Sequence, residues 1–259
     1  MTELTATMPG HALILAGSRP GGDPFAHEQG VAHKALIEID GMTMLARVHA
    51  ALSAAGYACV HVSADDPAVV EEAARLGATV VAPAAGPSGS VARVFALTGA
   101  PLLVTTADHA LLRPEWVRDF LADAPAADVA ILLAERGKVD AAVPGTRRTW
   151  LRFADGDWSG CNLFLLAGDG ARRALEVWSG VEADRKRPWR IVRRLGIGTM
   201  FSYAMGRLSL AEAVRRLGQR NGLSAAVVPA RDGEAAIDVD KAEDLTLARR
   251  LLAQRGDAA

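Results

Sequence analysis

Cysteine is scarce in this sequence: Cys59 and Cys161 are the only two in 259 residues. Each sits in or beside an apolar stretch, which fits reduced, buried thiols and excludes a disulfide framework or a cysteine metal site. Neither sign of charge dominates. The formal net charge is −1, so bulk electrostatics give no reason to expect a nucleic-acid partner. No apolar run approaches the roughly 20 residues that a membrane span needs. The opening stretch MTELTATMPG lacks the basic start and apolar core of a signal peptide. The expectation is a cytoplasmic protein. Two phosphate-binding motifs are missing as well. No GxxxxGK[ST] occurs, and the first glycine cluster runs Gly17-x-x-x-Gly21-Gly22, which is not GxGxxG.

What is present is an alternation of apolar runs and helical patterns, in a chain that is 50% apolar. His11–Ala16 has no helical period and breaks into Gly17, Ser18, Arg19, Pro20, Gly21, Gly22, Asp23 and Pro24. A buried strand that feeds a glycine-rich loop is how many α/β proteins open a phosphate site, because glycines let amide N–H groups converge on an anion. Arg19 and Lys34 bracket that loop with positive charge. A helix is expected over Met42–Gly56, with Gly56 as its C-cap, a strand over Ala58–Ser63, a helix over Pro67–Leu76 and a strand over Ala78–Val81. The turn-rich loop Pro83–Ser90 precedes a helix over Val91–Leu97, which Ser88 or Ser90 would cap. Pro101–Thr106 is the strongest buried strand and delivers Asp108, with Pro114 opening the next helix. A carboxylate at such a strand end sits where α/β sheets bind ligands, and Mg²⁺ favours one or two carboxylates plus substrate phosphates. A turn or helix-cap role for Asp108 is the competing reading. The pattern predicts an α/β fold: a single Rossmann-like, mostly parallel sheet with helices on both faces.

Leu15-Ala16-Gly17-Ser18-Arg19, then Lys34-Ala-Leu-Ile-Glu-Ile-Asp-Gly41-Met-Thr-Met-Leu45, resembles the signature of the MobA-like nucleotidyltransferases. These are NTP-dependent transferases of the nucleotide-diphospho-sugar transferase (GT-A-like) fold. The resemblance implies that Leu15, Ala16, Gly17, Ser18, Gly21 and Gly22 wrap the NTP, with Arg19 and Lys34 holding its phosphates. It implies that Ser88, Gly89 and Ser90 approach base and ribose, and that Asp108 binds Mg²⁺. The usual second glycine after LAG is Ser18 here, and the loop to Lys34 is long, with His27 and His33 inside it. Late in the chain, Asp238-Val-Asp240-Lys-Ala-Glu243-Asp244-Leu resembles the family's acidic ending, where Asp238, with Asp240 second, completes the metal site. Asp240 also reads as the N-cap of the last helix, with Glu243 as its partner three residues on.

Between these landmarks, Asp128–Ala134 reads as a strand, and Thr146–Phe153 and Trp158–Leu166 as strands joined by an Asp155-Gly156 turn. Arg147, Arg148 and Arg152 would face an anionic acceptor or guard a solvated edge, and the resemblance puts Asn162 and Gly160 on the acceptor side. Residues 168–222 change character, being helical and rich in arginine, and are expected as an insertion in a single nucleotidyltransferase domain spanning 1–259. Its basic stretch around Trp189 would wall the acceptor pocket, lie on a membrane surface, or form a solvated face. Ser209 should cap a helix over Leu210–Arg220 through a Ser-Leu-Ala-Glu box. Leu223–Val228 returns to strand. The function that the resemblance implies is Mg²⁺-dependent transfer of an NMP group from an NTP, with CTP favoured, to a small phosphorylated alcohol or sugar. A glycosyltransferase of the same fold and a non-catalytic nucleotide-binding protein are the rival readings. The first would use a D-x-D motif, which Asp108-His109-Ala110 lacks.

Overall fold

A computed structural model describes residues 10–18, 21–183 and 196–256. The apolar run at the start forms β1 (His11–Leu15), and a short helix, α1 (Pro24–Glu28), interrupts the long loop behind it. Asp23 caps α1 and Pro24 opens it. A small hairpin, β2 (Glu38–Ile39) with β3 (Met42–Thr43), leads into α2 (Met44–Ala55). Thr43 caps α2 through Ala46 N, and Gly56 ends it at φ 112°, a left-handed angle that glycine adopts without steric cost. Then come β4 (Cys59–Ser63), α3 (Pro67–Arg75), capped by Asp66, and β5 (Thr79–Val81). The chain continues through α4 (Pro87–Thr98), β6 (Leu102–Thr106), α5 (Pro114–Asp123), β7 (Val129–Glu135) and α6 (Arg136–Ala142).

The strand expected over 146–153 shrinks to β8 (Leu151–Phe153), which pairs with β9 (Gly156–Leu166) around a turn at Ala154-Asp155. The arginine-rich region holds α7 (Ala171–Ala183), α8 (Ile197–Ala204) and α9 (Leu210–Arg220). The basic stretch around Trp189 lies outside the described residues. Ser209 does cap α9 through Glu212 N, but the Glu212 carboxylate turns outward to Arg215 and Arg216 and does not close the box. β10 (Ala225–Pro229) and α10 (Ala242–Gly256) finish the fold. No described helix is long and apolar enough to cross a membrane.

The large sheet runs β10-β7-β9-β6-β1-β4-β5, with β8 attached to β9. β1 pairs in parallel with β4 and β6, as does β7 with β10, and β9 alone runs against its neighbours β6 and β7. Alternate residues of β1 point to opposite faces. Ala12 and Ile14 join a core with Leu45, Val48 and Leu52 of α2, Val117 and Phe120 of α5, and Leu245 and Ala248 of α10. Leu13 joins a second core with Val91, Val94 and Phe95 of α4 and Leu175 of α7. Both faces of the sheet are therefore covered, which is why the Ala12–Ala16 run is continuously apolar and not alternating. Each fully buried Leu or Ile contributes about 2 kcal/mol by leaving water.

Candidate active site

From β1 the chain moves first to β4 and β5 on one side, and later to β6 on the other. The crevice beyond the carboxyl ends of β1 and β6 is thus a topological switch point, where open α/β sheets bind ligands. Ala107 N donates to Leu15 O at 3.0 Å, so the glycine-rich loop and Asp108 leave adjacent strands side by side. The long loop then returns through a 3₁₀ turn, Lys34–Leu36, capped by the His33 ring, and this brings Lys34 to the same crevice.

Lys34 Nζ donates to Asp108 Oδ2 at 2.7 Å and to Asp240 Oδ1 at 2.6 Å. Three parts of the chain, separated by 74 and 206 positions from Lys34, meet at one ammonium. Thr106 donates its hydroxyl to the other oxygen of Asp108, and the Asp108 carbonyl accepts from Val239 N at 3.0 Å. Burial opposes the charged form of both partners. For Asp108 the adjacent Lys34 charge and hydrogen bond outweigh it and hold the carboxyl below its ordinary range. For Lys34 burial is likewise outweighed, by Asp108 and Asp240, and its pKa is raised. The pair is fully charged at neutral pH.

Asp238 sits beside this group with different partners. Arg148 donates to one of its oxygens and Asn162 Nδ2 to the other, the latter at 3.0 Å. Asn162 is aimed there by a bulge: β9 slips register against β7 between Ile131 and Leu133, and Asn162 takes φ 48°. Asparagine tolerates that angle better than most residues, and bulges commonly re-aim a side chain beside a site. Burial pushes the Asp238 carboxyl up, and the charges of Asp240 and Asp108 add to the rise against the pull of Arg148.

The nucleotide-loop candidates fall into place unevenly. Leu15, Ala16, Gly17 and Ser18 lie at the end of β1, and Gly21 and Gly22 take φ 89° and 81°, angles that favour glycine. Arg19 lies outside the described residues. Ser18 donates its amide and hydroxyl to Asp65 Oδ1 at 3.1 and 2.8 Å, which fixes the loop against the end of β4. Ser88, Gly89 and Ser90 are not loop residues. Pro87 starts α4 ahead of them, so they form its first turn. There Ser88 is buried and donates its amide and hydroxyl to Glu182 of α7 at 3.1 and 2.6 Å, while Ser90 Oγ bridges Ala84 N and Gly86 O. A carboxylate on the first turn of a helix is favoured by the helix dipole. Nothing in the local sequence around Asp65 and Glu182 distinguishes them from ordinary surface or cap residues.

No group of three or more His, Cys, Asp or Glu side chains among the described residues is arranged to hold a metal ion. Asp108, Asp238 and Asp240 nevertheless supply only oxygen donors, beside a loop suited to phosphates. That donor set matches Mg²⁺, which takes one or two carboxylates and completes its shell with phosphate and water. A cleft of about 410 Å³ opens between residues 143–147 and the N-terminal half of α10, with Arg147, Lys241 and Arg250 and the carboxylates of Glu243 and Asp244 on its walls.

A mostly parallel sheet with a Gly-loop, a lysine and paired carboxylates at its switch point defines a nucleotide-handling α/β enzyme. The chain belongs to the family of the MobA-like NTP transferase domain, whose model matches residues 12–235, and it is a nucleotidyltransferase. It is similar over 91% of its length to a hypothetical transferase from Thermus thermophilus, with 32% identity, 98% of that chain covered and a TM-score of 0.79. More distant likenesses support the fold. A CMP:2-keto-3-deoxy-manno-octonic acid synthetase complexed with CTP has 20% identity, covers 94% of this chain and 98% of its own, and gives a TM-score of 0.58. The 2-C-methyl-D-erythritol 4-phosphate cytidylyltransferase from Thermus thermophilus has 16% identity over 93% of this chain and 98% of its own, with a TM-score of 0.52. No curated protein matches the sequence.

Proposed function

We propose that the chain transfers a CMP group from CTP to a small phosphorylated alcohol or sugar and releases pyrophosphate. The observation that carries this reading is the convergence of Lys34, Asp108 and Asp240 at the β1–β6 switch point, beside the glycine-rich loop. CTP is favoured because two of the fold's solved representatives are a CTP complex and a cytidylyltransferase.

An oxygen of the acceptor's phosphate attacks the α-phosphorus. The new O–P bond forms as the bond from the α-phosphorus to the bridging oxygen breaks, and pyrophosphate carries that electron pair away. The acceptor needs little activation, since a phosphate monoester is already anionic at neutral pH, so catalysis is positioning and charge stabilisation. Lys34 lies beside the α-phosphate, and Arg19 with the amides of Gly21 and Gly22 holds the departing β- and γ-phosphates. Asp108 and Asp238 would hold Mg²⁺, which would supply neutralisation of the charge that develops on the transferred phosphate. Asn162 keeps Asp238 turned to the crevice. The whole of 1–259 is read as one nucleotidyltransferase domain, with 168–222 as its insertion.

The test is pyrophosphate release from each common NTP with Mg²⁺, against a panel of phosphorylated sugars and polyols. Release with CTP and one acceptor is expected. No release from any NTP, together with no NTP binding by calorimetry, would overturn the reading.

A further inference from the structure

We infer that Arg148 is a latch on Asp238 that an anionic acceptor opens, so that acceptor and divalent cation favour each other's binding. The inference rests on the transferase reading for the identity of the two ligands. Its observations are separate from the motifs that led to that reading.

The Arg148 side chain is only 10% exposed and that of Asp238 17%, so the pair sits largely out of water. The guanidinium gives Asp238 a hydrogen bond through one terminal nitrogen, while its Nε–H has no hydrogen-bond partner among the described residues. A buried guanidinium with an unmet donor is under-used where it stands. It presents a planar fork that a phosphomonoester would fill with two parallel bonds. The residue lies between α6 and β8 in a stretch outside helix and strand, so moving it breaks no sheet ladder. Asn162, by contrast, is built into β9 and keeps its hold on Asp238 when Arg148 leaves.

The coupling follows from charge. If an acceptor phosphate drew Arg148 away alone, Asp238 would stay buried beside Asp108 and Asp240 without a cation. If a divalent cation took Asp238 alone, the buried guanidinium would lose its anion. Each half-exchange strands a buried charge and is unfavourable. When both ligands arrive, the phosphate compensates Arg148 and the cation compensates Asp238, so neither charge is stranded. Binding of one ligand therefore lowers the cost of binding the other, and the effect must be reciprocal.

The experiment measures Mn²⁺ affinity by electron paramagnetic resonance, with and without saturating glycerol 3-phosphate. Free Mn²⁺ is corrected for complexes with the phosphomonoester, measured without protein. In the unmodified protein, glycerol 3-phosphate is expected to tighten Mn²⁺ binding about fivefold or more, the lower end of ordinary coupling. Arg148→Gln should bind Mn²⁺ more tightly than the unmodified protein when no phosphomonoester is present, and should gain nothing further when it is added. Arg148→Lys keeps the charge without the fork, folds on the same pairing, and should show weaker coupling than the unmodified protein. No coupling in the unmodified protein, or full coupling in either variant, would overturn the inference. Coupling with neither pyrophosphate release from nor binding of any NTP would remove the transferase reading and leave the latch. Release without coupling would remove the latch alone.

Discussion

His109 follows Asp108 directly and is 1% exposed, with its ring 6.1 Å from that of Trp116. Burial lowers its pKa from 6.5 to about 4, against the opposing pull of Asp108 and of the Ala235 backbone, with a smaller push from the charge of Arg148. The folded state therefore holds His109 neutral at pH values where the unfolded chain binds a proton. With the folded pKa below the unfolded one, the unfolded state carries more protons between about pH 4 and 6.5, and stability rises with pH across that window. At about 1.4 kcal/mol for each pH unit, the full difference is about 3 kcal/mol. It is present above the unfolded pKa and is lost as pH falls through the folded one. Urea unfolding at intervals from pH 4 to 8 would show it. The direct comparison is with His109→Phe, which keeps a ring against Trp116 but cannot titrate. His49 and His61 are also shifted down by burial and slope the same way, so the quantity of interest is the difference between the two curves. That difference should narrow by about 3 kcal/mol in favour of the variant as pH falls from 7 to 4. Parallel curves would refute the claim that His109 is buried neutral behind the site.

Two further outcomes follow from the same geometry. Lys34→Met should leave Asp108 without its cation and cost about 3 kcal/mol of stability, whereas Lys34→Met combined with Asp108→Asn should recover most of that loss, read by a double-mutant cycle in urea. Asn162→Gly should keep the backbone angle of 48° and lose only the bond to Asp238, while Asn162→Ala should lose both and be less stable than the glycine variant by about 1 kcal/mol.

The parts of this fold that were readable from sequence are those with a local cause. Leu102–Val104 is apolar throughout because β6 is covered on both faces, and two residues past the end of that strand comes Asp108 at the switch point. Gly56 and Pro67 mark helix limits by chemistry that acts within a turn. The misread elements share the opposite property. Pro83–Ser90 reads as a loop from its composition, yet Gly86 at φ 85° and Pro87 start a helix early enough to absorb Ser88–Ser90. Asp240 has every mark of an N-cap, but its carboxylate is drawn to Lys34, 206 positions away, and its own amide goes to Asp244. The clasp of Glu182 on Ser88 spans 94 positions and that of Asp65 on Ser18 spans 47. Such contacts are set by how the sheet brings its strand ends together, and no short-range pattern announces them. Arg148 shows the intermediate case: its place near an anion was foreseeable, but its carboxylate partner was not.

The most direct measurement is to follow label from CTP carrying ³²P at either the α- or the γ-position, in the presence of Mg²⁺ and an accepted phosphomonoester. The α-label should enter the organic product and the γ-label should leave as pyrophosphate, with Asp108→Asn giving neither. Label from the γ-position in the organic product would mean a kinase, and undiminished transfer by Asp108→Asn would mean that the chemistry lies somewhere other than the β1–β6 switch point.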